Sequence, residues 1–131
     1  MDHFTQLLAI IRRKAVFDRN NPWYRGPESY LNGLHGEVAE VLEEMGRARS
    51  CYLEDELGDL LWNTLNAIVA LEKSTDIRLE AVLQRACRKF ERRVSGLEAG
   101  ESWQAIKATQ KAELAAEQMA ADSRGPASAG N

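Results

Sequence analysis

Phe4, Leu7, Leu8, Ile11 and Ala15 recur at helical steps with bases between them, so the chain opens on an amphipathic helix. That helix should end near Arg19, where Asn20-Asn21-Pro22 gathers turn-forming residues and Pro22 restricts its predecessor. Pro27 suits the first turn of a second helix, expected to run to about Met45 with Leu31, Leu34, Val38, Val41, Leu42 and Met45 as its apolar stripe. A third, from about Tyr52 to Lys73, carries Leu53, Leu57, Leu60, Leu61, Leu65, Ile68 and Val69. The fourth, from about Ile77 to Val94, carries Leu79, Val82, Leu83, Ala86, Phe90 and Val94, with Ser95-Gly96 expected to end it. Glu101-Ser102 then introduces a last amphipathic segment with Trp103, Ile106 and Leu114. The short connection from Gly46 to Ser50 makes the second and third helices antiparallel neighbours. The pattern predicts an all-α fold: an antiparallel helical bundle of about four core helices plus a peripheral helix, spanning residues 1–121, with a disordered tail over 122–131. Trp62 and Trp103 are expected mainly to pack.

Beside the apolar stripes run two polar ones. Gly33, Glu37, Glu40 and Glu44 follow one another at steps of four, three and four; Glu56, Asp59, Asn63 and Asn66 do so at three, four and three. Packed as a hairpin, the two helices would bring Glu37 and Glu40 to Glu56 and Asp59 across an interaxial gap of about 8–10 Å. Four carboxylates in one small volume repel one another, and a divalent hard cation removes that penalty by taking oxygen ligands from all of them. The alternative is a solvated acidic face, and E-x-x-E spacing alone does not separate the two. Two features favour a site. The second stripe continues into Asn63 and Asn66, and Arg85, Lys89 and Arg92 or Arg93 form a basic edge at one-turn spacing on the fourth helix. A metal together with bases points to a polyphosphate substrate. His3 and His35, the two histidines, do not follow a glutamate at E-x-x-H spacing, so all-oxygen ligation by Mg²⁺ or Mn²⁺ is favoured over Zn²⁺ or redox iron. No G-x-x-x-x-G-K-[ST] loop is present.

Composition narrows the setting. The 131 residues and 14.7 kDa fit one domain, and a formal charge of −3 gives no overall field for nucleic acid. Cys51 and Cys87 lack a CxxC pattern and read as reduced structural thiols of a cytoplasmic chain. The first residues have no signal-peptide core, no apolar run approaches a membrane span, and Asp2 and Asp18 dilute the positive charge of the first helix. A membrane partner is therefore not expected.

The run NPWYRGPESYLNGLHGEVAEVLEEM, followed by EDELGDLLWNTL, resembles the MazG-like nucleoside triphosphate pyrophosphohydrolases, whose signature is an E-E-x-x-E element and a later E-x-x-D element on adjacent helices. KFERRV at Lys89 to Val94 resembles the family's basic segment, and WQAIK at Trp103 to Lys107 its usual ending, so the likeness covers about Pro22 to Lys111. The resemblance implies that Glu37, Glu40, Glu56 and Asp59 hold Mg²⁺, with Mn²⁺ as a possible substitute. It also implies that Lys89, with Arg92 or Arg93, contacts phosphate. Gly36 stands where the fuller pattern has its first glutamate. The implied reaction splits a nucleoside triphosphate between its α and β phosphates, and the implied assembly is a homodimer or a dimer of dimers.

Within that reaction Glu37 and Glu40 are candidates for orienting the attacking water, and Lys89 for electrostatic assistance. Trp23 and Tyr24 are candidates for stacking on the base, and Asn63 and Asn66 for hydrogen bonds to sugar or base, while Arg85 extends the phosphate-binding edge. The competing reading is a non-enzymatic helical adaptor, in which the acids are solvated and the bases meet another protein.

Overall fold

A computed structural model describes residues 2–125, and among these the regular structure is entirely helical. Six helices follow in order: α1 (His3–Asp18), α2 (Glu28–Leu31), α3 (Leu34–Met45), α4 (Ser50–Ser74), α5 (Leu79–Glu98) and α6 (Trp103–Ser123). The all-α class read from the periodicity is the class observed. Part of the tail expected from residue 122 lies outside the described residues, and Asp122 and Ser123 belong to α6. The chain divides into two compact units, Met1–Ala81 and Val82–Asn131.

In the first unit α4 is the central element, packed by α1, α2 and α3. Its core joins Ile11 of α1 to Leu65 and Val69 of α4 and to Leu79, with Leu7, Leu8, Ala15, Trp62 and Ile68 against them. The core draws on the apolar positions of the first and third stripes with Leu79 of the fourth, and Trp62 packs as expected. The caps are local. The Asp2 carboxylate accepts the Thr5 N–H at 2.8 Å at the start of α1, and Glu72 accepts the Leu79 N–H at 2.8 Å, placing a negative charge at the start of α5.

Two expected boundaries differ. The helix predicted from Pro27 to Met45 is interrupted at Asn32 and Gly33, giving α2 and α3. A Cβ at Gly33 would lie 3.2 Å from Asn63 Nδ2, so glycine lets the interruption approach α4 closely. Ser95-Gly96 does not end α5, which runs to Glu98. Gly96 is instead where the two helices of the second unit meet, since a Cβ there would stand 2.2 Å from Ile106 Cδ1.

The second unit is held by polar ties across that contact. Arg92 pairs with Glu101, Arg85 with Glu117, and Arg93 Nε donates to Gln110 Oε1 at 2.7 Å with its guanidinium 4.9 Å from the Trp103 ring. The Ser102 hydroxyl accepts the Ala105 N–H and caps α6.

The apolar stripes are less fully used than the periodicity suggests. Val38, Leu42 and Met45 on α3, Leu57 and Leu61 on α4, and Leu83, Phe90 and Val94 on α5 are exposed. In α4 the reason is that α1 covers the C-terminal half, where Leu65 and Val69 lie, and the buried residues of the helix fall between Leu65 and Ala70. Among the described residues no helix is long and apolar enough to cross a membrane.

Candidate metal centre

The connection between α3 and α4 turns the chain tightly enough to face their acidic stripes toward one another. Ala48 takes a left-handed φ of 53°, and Glu44, nearly buried, accepts from Arg47 and Arg49. The Arg49 guanidinium also lies 4.0 Å from the Tyr52 ring, tying the start of α4 to the end of α3. Glu44, aligned with Glu37 and Glu40 in the sequence, therefore serves the connection. Its hydrogen bond from Arg49 lowers its pKa, as expected of a carboxylate already paired.

One helical turn deeper, one carboxylate oxygen from each of Glu37, Glu40, Glu56 and Asp59 lies within 4.8 Å of all the others. Among the described residues, no lysine or arginine forms a salt bridge with any of the four. Glu37 and Glu56 are half-buried, and Glu37 Oε2 and Glu56 Oε2 are buried oxygens with no hydrogen-bond partner. Burial, followed by the charges of Glu40 and Asp59, raises Glu37, and the hydrogen bond to Glu40, with burial behind it, pushes Glu56 up to about 7. Asp55 adds to the repulsion on both.

Orphaned buried oxygens and convergent carboxylates fit a divalent cation held by oxygen. Glu37, Glu40, Glu56 and Asp59 supply the donors, and among the described residues no nitrogen or sulfur ligand accompanies them. The sequence spacing put these four residues on facing stripes, and the structure brings all four together.

The other candidate residues are distributed as follows. Asn63 and Asn66 continue the α4 stripe beyond Asp59. Asn63 faces Gly33, while Asn66 is buried and donates to the Trp62 carbonyl at 2.8 Å. Tyr24 and Asn66 line one small cavity with Tyr30 and Asp18. Trp23 is 52% exposed and meets Tyr30 edge-on at 5.1 Å. In the second unit Arg85, Lys89, Arg92 and Arg93 line a groove of about 440 Å³ between α5 and α6, joined there by Arg88 and Lys111. Three of the four expected bases are engaged inside this unit: Arg85 and Arg92 in ion pairs and Arg93 with Gln110. The Lys89 ammonium lies 5.4 Å from the Phe90 ring. His3, His35, Cys51 and Cys87 are exposed, and the two cysteines are free thiols.

Sequence reasoning missed the group around Asp18. A carboxylate that closes an amphipathic helix looks like a surface charge, and only the folding of Tyr30 onto it, twelve residues later, buries it.

No curated protein and no solved structure matches the chain. Residues 25–97 match the family model of the MazG nucleotide pyrophosphohydrolase domain. That span holds Glu37, Glu40, Glu56 and Asp59 and covers more than half of the chain, which therefore belongs to the MazG family.

Proposed function

We propose that the protein hydrolyses nucleoside triphosphates at the α–β phosphoanhydride, releasing a nucleoside monophosphate and pyrophosphate. The observation that carries this reading is the set of four convergent carboxylates with two orphaned buried oxygens, inside a domain of the MazG family. Glu37, Glu40, Glu56 and Asp59 would hold Mg²⁺, with Mn²⁺ as a substitute. The bound cation would neutralise the polyphosphate and stabilise charge on the leaving pyrophosphate.

The protein's own groups do the rest. Glu37 or Glu40 accepts a hydrogen bond from the attacking water and orients it, a role open to a carboxylate oxygen not engaged by the cation. Lys89 offers a compact positive charge to phosphate oxygens, supplemented by Arg85, Arg92 and Arg93. Trp23 and Tyr24 stack on the base, and Asn63 and Asn66 offer donor and acceptor pairs to base or sugar. A homodimer or dimer of dimers would cover the exposed leucines of α3 and α4.

The test is a screen of canonical and modified ribo- and deoxynucleoside triphosphates for Mg²⁺-dependent product release. Pyrophosphate, and not orthophosphate, should appear with at least one of them. Failure with every substrate, in folded protein that binds Mn²⁺, would sink the enzyme reading and favour an adaptor.

A further inference from the structure

The segment between α1 and α2 carries Trp23 and Tyr24 and has little regular structure of its own, yet it is heavily tied. Asp18, the last residue of α1, is 4% exposed, a rare burial for a carboxylate. Its two oxygens accept three donors: Lys14 Nζ at 2.7 Å and Asn21 Nδ2 at 3.0 Å on Oδ1, and the Tyr30 hydroxyl on Oδ2. Lys14 Nζ donates also to the Tyr30 hydroxyl oxygen at 2.9 Å. Burial alone would raise the Asp18 pKa, but the bonds from Lys14, Tyr30 and Asn21 outweigh it and the pKa is lowered. The charge is thus fully compensated, and leaving any one of these groups unpaired would be costly.

The same residues reach Trp23. The Asn21 side chain turns its other end outward, and its Oδ1 accepts the Trp23 N–H at 3.3 Å. The Lys14 ammonium lies 4.9 Å from the Trp23 ring centroid and 5.2 Å from that of Tyr30, and the Tyr30 ring meets Trp23 edge-on. Backbone, ring edge and ring face of Trp23 are each held by a residue of one buried network, while about half of its surface stays open at 52% exposure. A large apolar side chain that is both exposed and fixed is prepaid for stacking, since its ordering cost falls on folding and not on binding.

Position along α4 supports the same conclusion. Asn66 shares a cavity with Asp18, Tyr24 and Tyr30, and it follows Asp59 by seven residues, a helical rise of about 10 Å. That is on the scale of the reach from a nucleoside's α-phosphate to its base. The network therefore stands where the base end of a nucleotide would arrive when its phosphates meet the four acids.

We infer that Lys14, Asp18 and Tyr30 are positioning residues that fix Trp23 as the platform for the nucleobase. This inference rests on the pyrophosphohydrolase reading above. Lys14 and Asp18 lie on α1, ahead of the residues matched to the family, while Tyr30 lies within them. These three residues act through Trp23 and take no part in the bond cleavage, so substrate affinity and not turnover should report on them.

The experiment uses the full chain with Tyr30→Phe, Lys14→Met and Asp18→Asn, each checked for folding by circular dichroism. Pyrophosphate release is measured with the best triphosphate, Mn²⁺ binding is measured without nucleotide, and 5-fluorotryptophan ¹⁹F spectra are recorded with the Trp23 line identified by its loss in Trp23→Phe. Tyr30→Phe and Lys14→Met should raise KM about fivefold to tenfold, the scale of one lost buried hydrogen bond. Their kcat should stay within about twofold. Mn²⁺ binding should be unchanged, and the Trp23 line should shift while those of Trp62 and Trp103 stay in place. If Asp18→Asn does not fold, the other two variants decide. Folded variants with wild-type KM and an unmoved Trp23 line would overturn the positioning role, as would a fall in kcat at unchanged KM. A wild type that releases no pyrophosphate from any triphosphate would instead overturn the function on which the inference rests.

Discussion

Glu40 on α3 and Glu56 on α4 bring carboxylate oxygens within 4.8 Å of each other, and Glu40, with burial behind it, pushes the Glu56 pKa up to about 7. Two carboxylates meet this way only if a proton or a cation lies between them.

The pH dependence of the metal-free protein follows from that contact. A raised pKa means that the folded state binds the proton more tightly than the unfolded chain, whose glutamates titrate near 4.5. The contribution is fully present below about pH 4.5 and is lost as pH rises through about 7. Acids with lowered pKa values, Asp2, Asp18, Glu44, Glu72 and Glu101, act the other way but only at the acid end of the scale. Melting temperature in EDTA should therefore fall between about pH 4.5 and about 7, and saturating Mg²⁺ should remove most of the decline. A metal-free melting temperature that climbs through this window would contradict the arrangement.

Glu56→Gln separates stability from activity. The amide keeps the size of the side chain and removes one charge from the cluster, so the metal-free protein should melt higher than wild type. Turnover should drop about a hundredfold, the scale of losing one preorganised electrostatic group. Lys89→Ala should cost less if Lys89 only assists phosphate binding. Wild-type kinetics in folded Glu56→Gln, at limiting as well as saturating Mg²⁺, would refute the role given to Glu56.

Gly58 sits within α4 between Glu56 and Asp59, and a Cβ there would meet nothing within 4 Å in this chain. Gly58→Ala should accordingly stabilise the helix by about 1 kcal/mol, read from denaturant unfolding. Destabilisation would mean that another molecule, such as a second copy, packs against this turn.

Exposed leucines on α3 and α4 make a prediction about mass. Light scattering at micromolar concentration should give a multiple of 14.7 kDa, and Leu42→Lys together with Leu61→Lys should reduce it. A wild-type mass equal to one chain would remove the case for assembly.

The helices, their approximate order and the four acids were legible in the sequence because each depends on short-range spacing. Residues three and four apart share a helix face whatever surrounds them, so Glu37 with Glu40 and Glu56 with Asp59 could be paired before any fold was known. Their convergence needed only a short connection. Which acid serves which purpose was not legible: Glu44 has the same spacing as its neighbours, and Arg49 together with Arg47 draws it out of the cluster. The break at Gly33 and the continuation through Gly96 were equally hidden, since both depend on what stands opposite, Asn63 in one case and Ile106 in the other. Periodicity also overstated burial, because it marks a face as apolar without saying whether a partner element reaches it, and Leu42, Leu61 and Phe90 remain exposed. Spacing along one helix is a property of the backbone and can be read from the chain. The burial of Asp18 under Tyr30, and the fixing of Trp23 that follows from it, depend on contacts between separate elements, and only tertiary structure decides those.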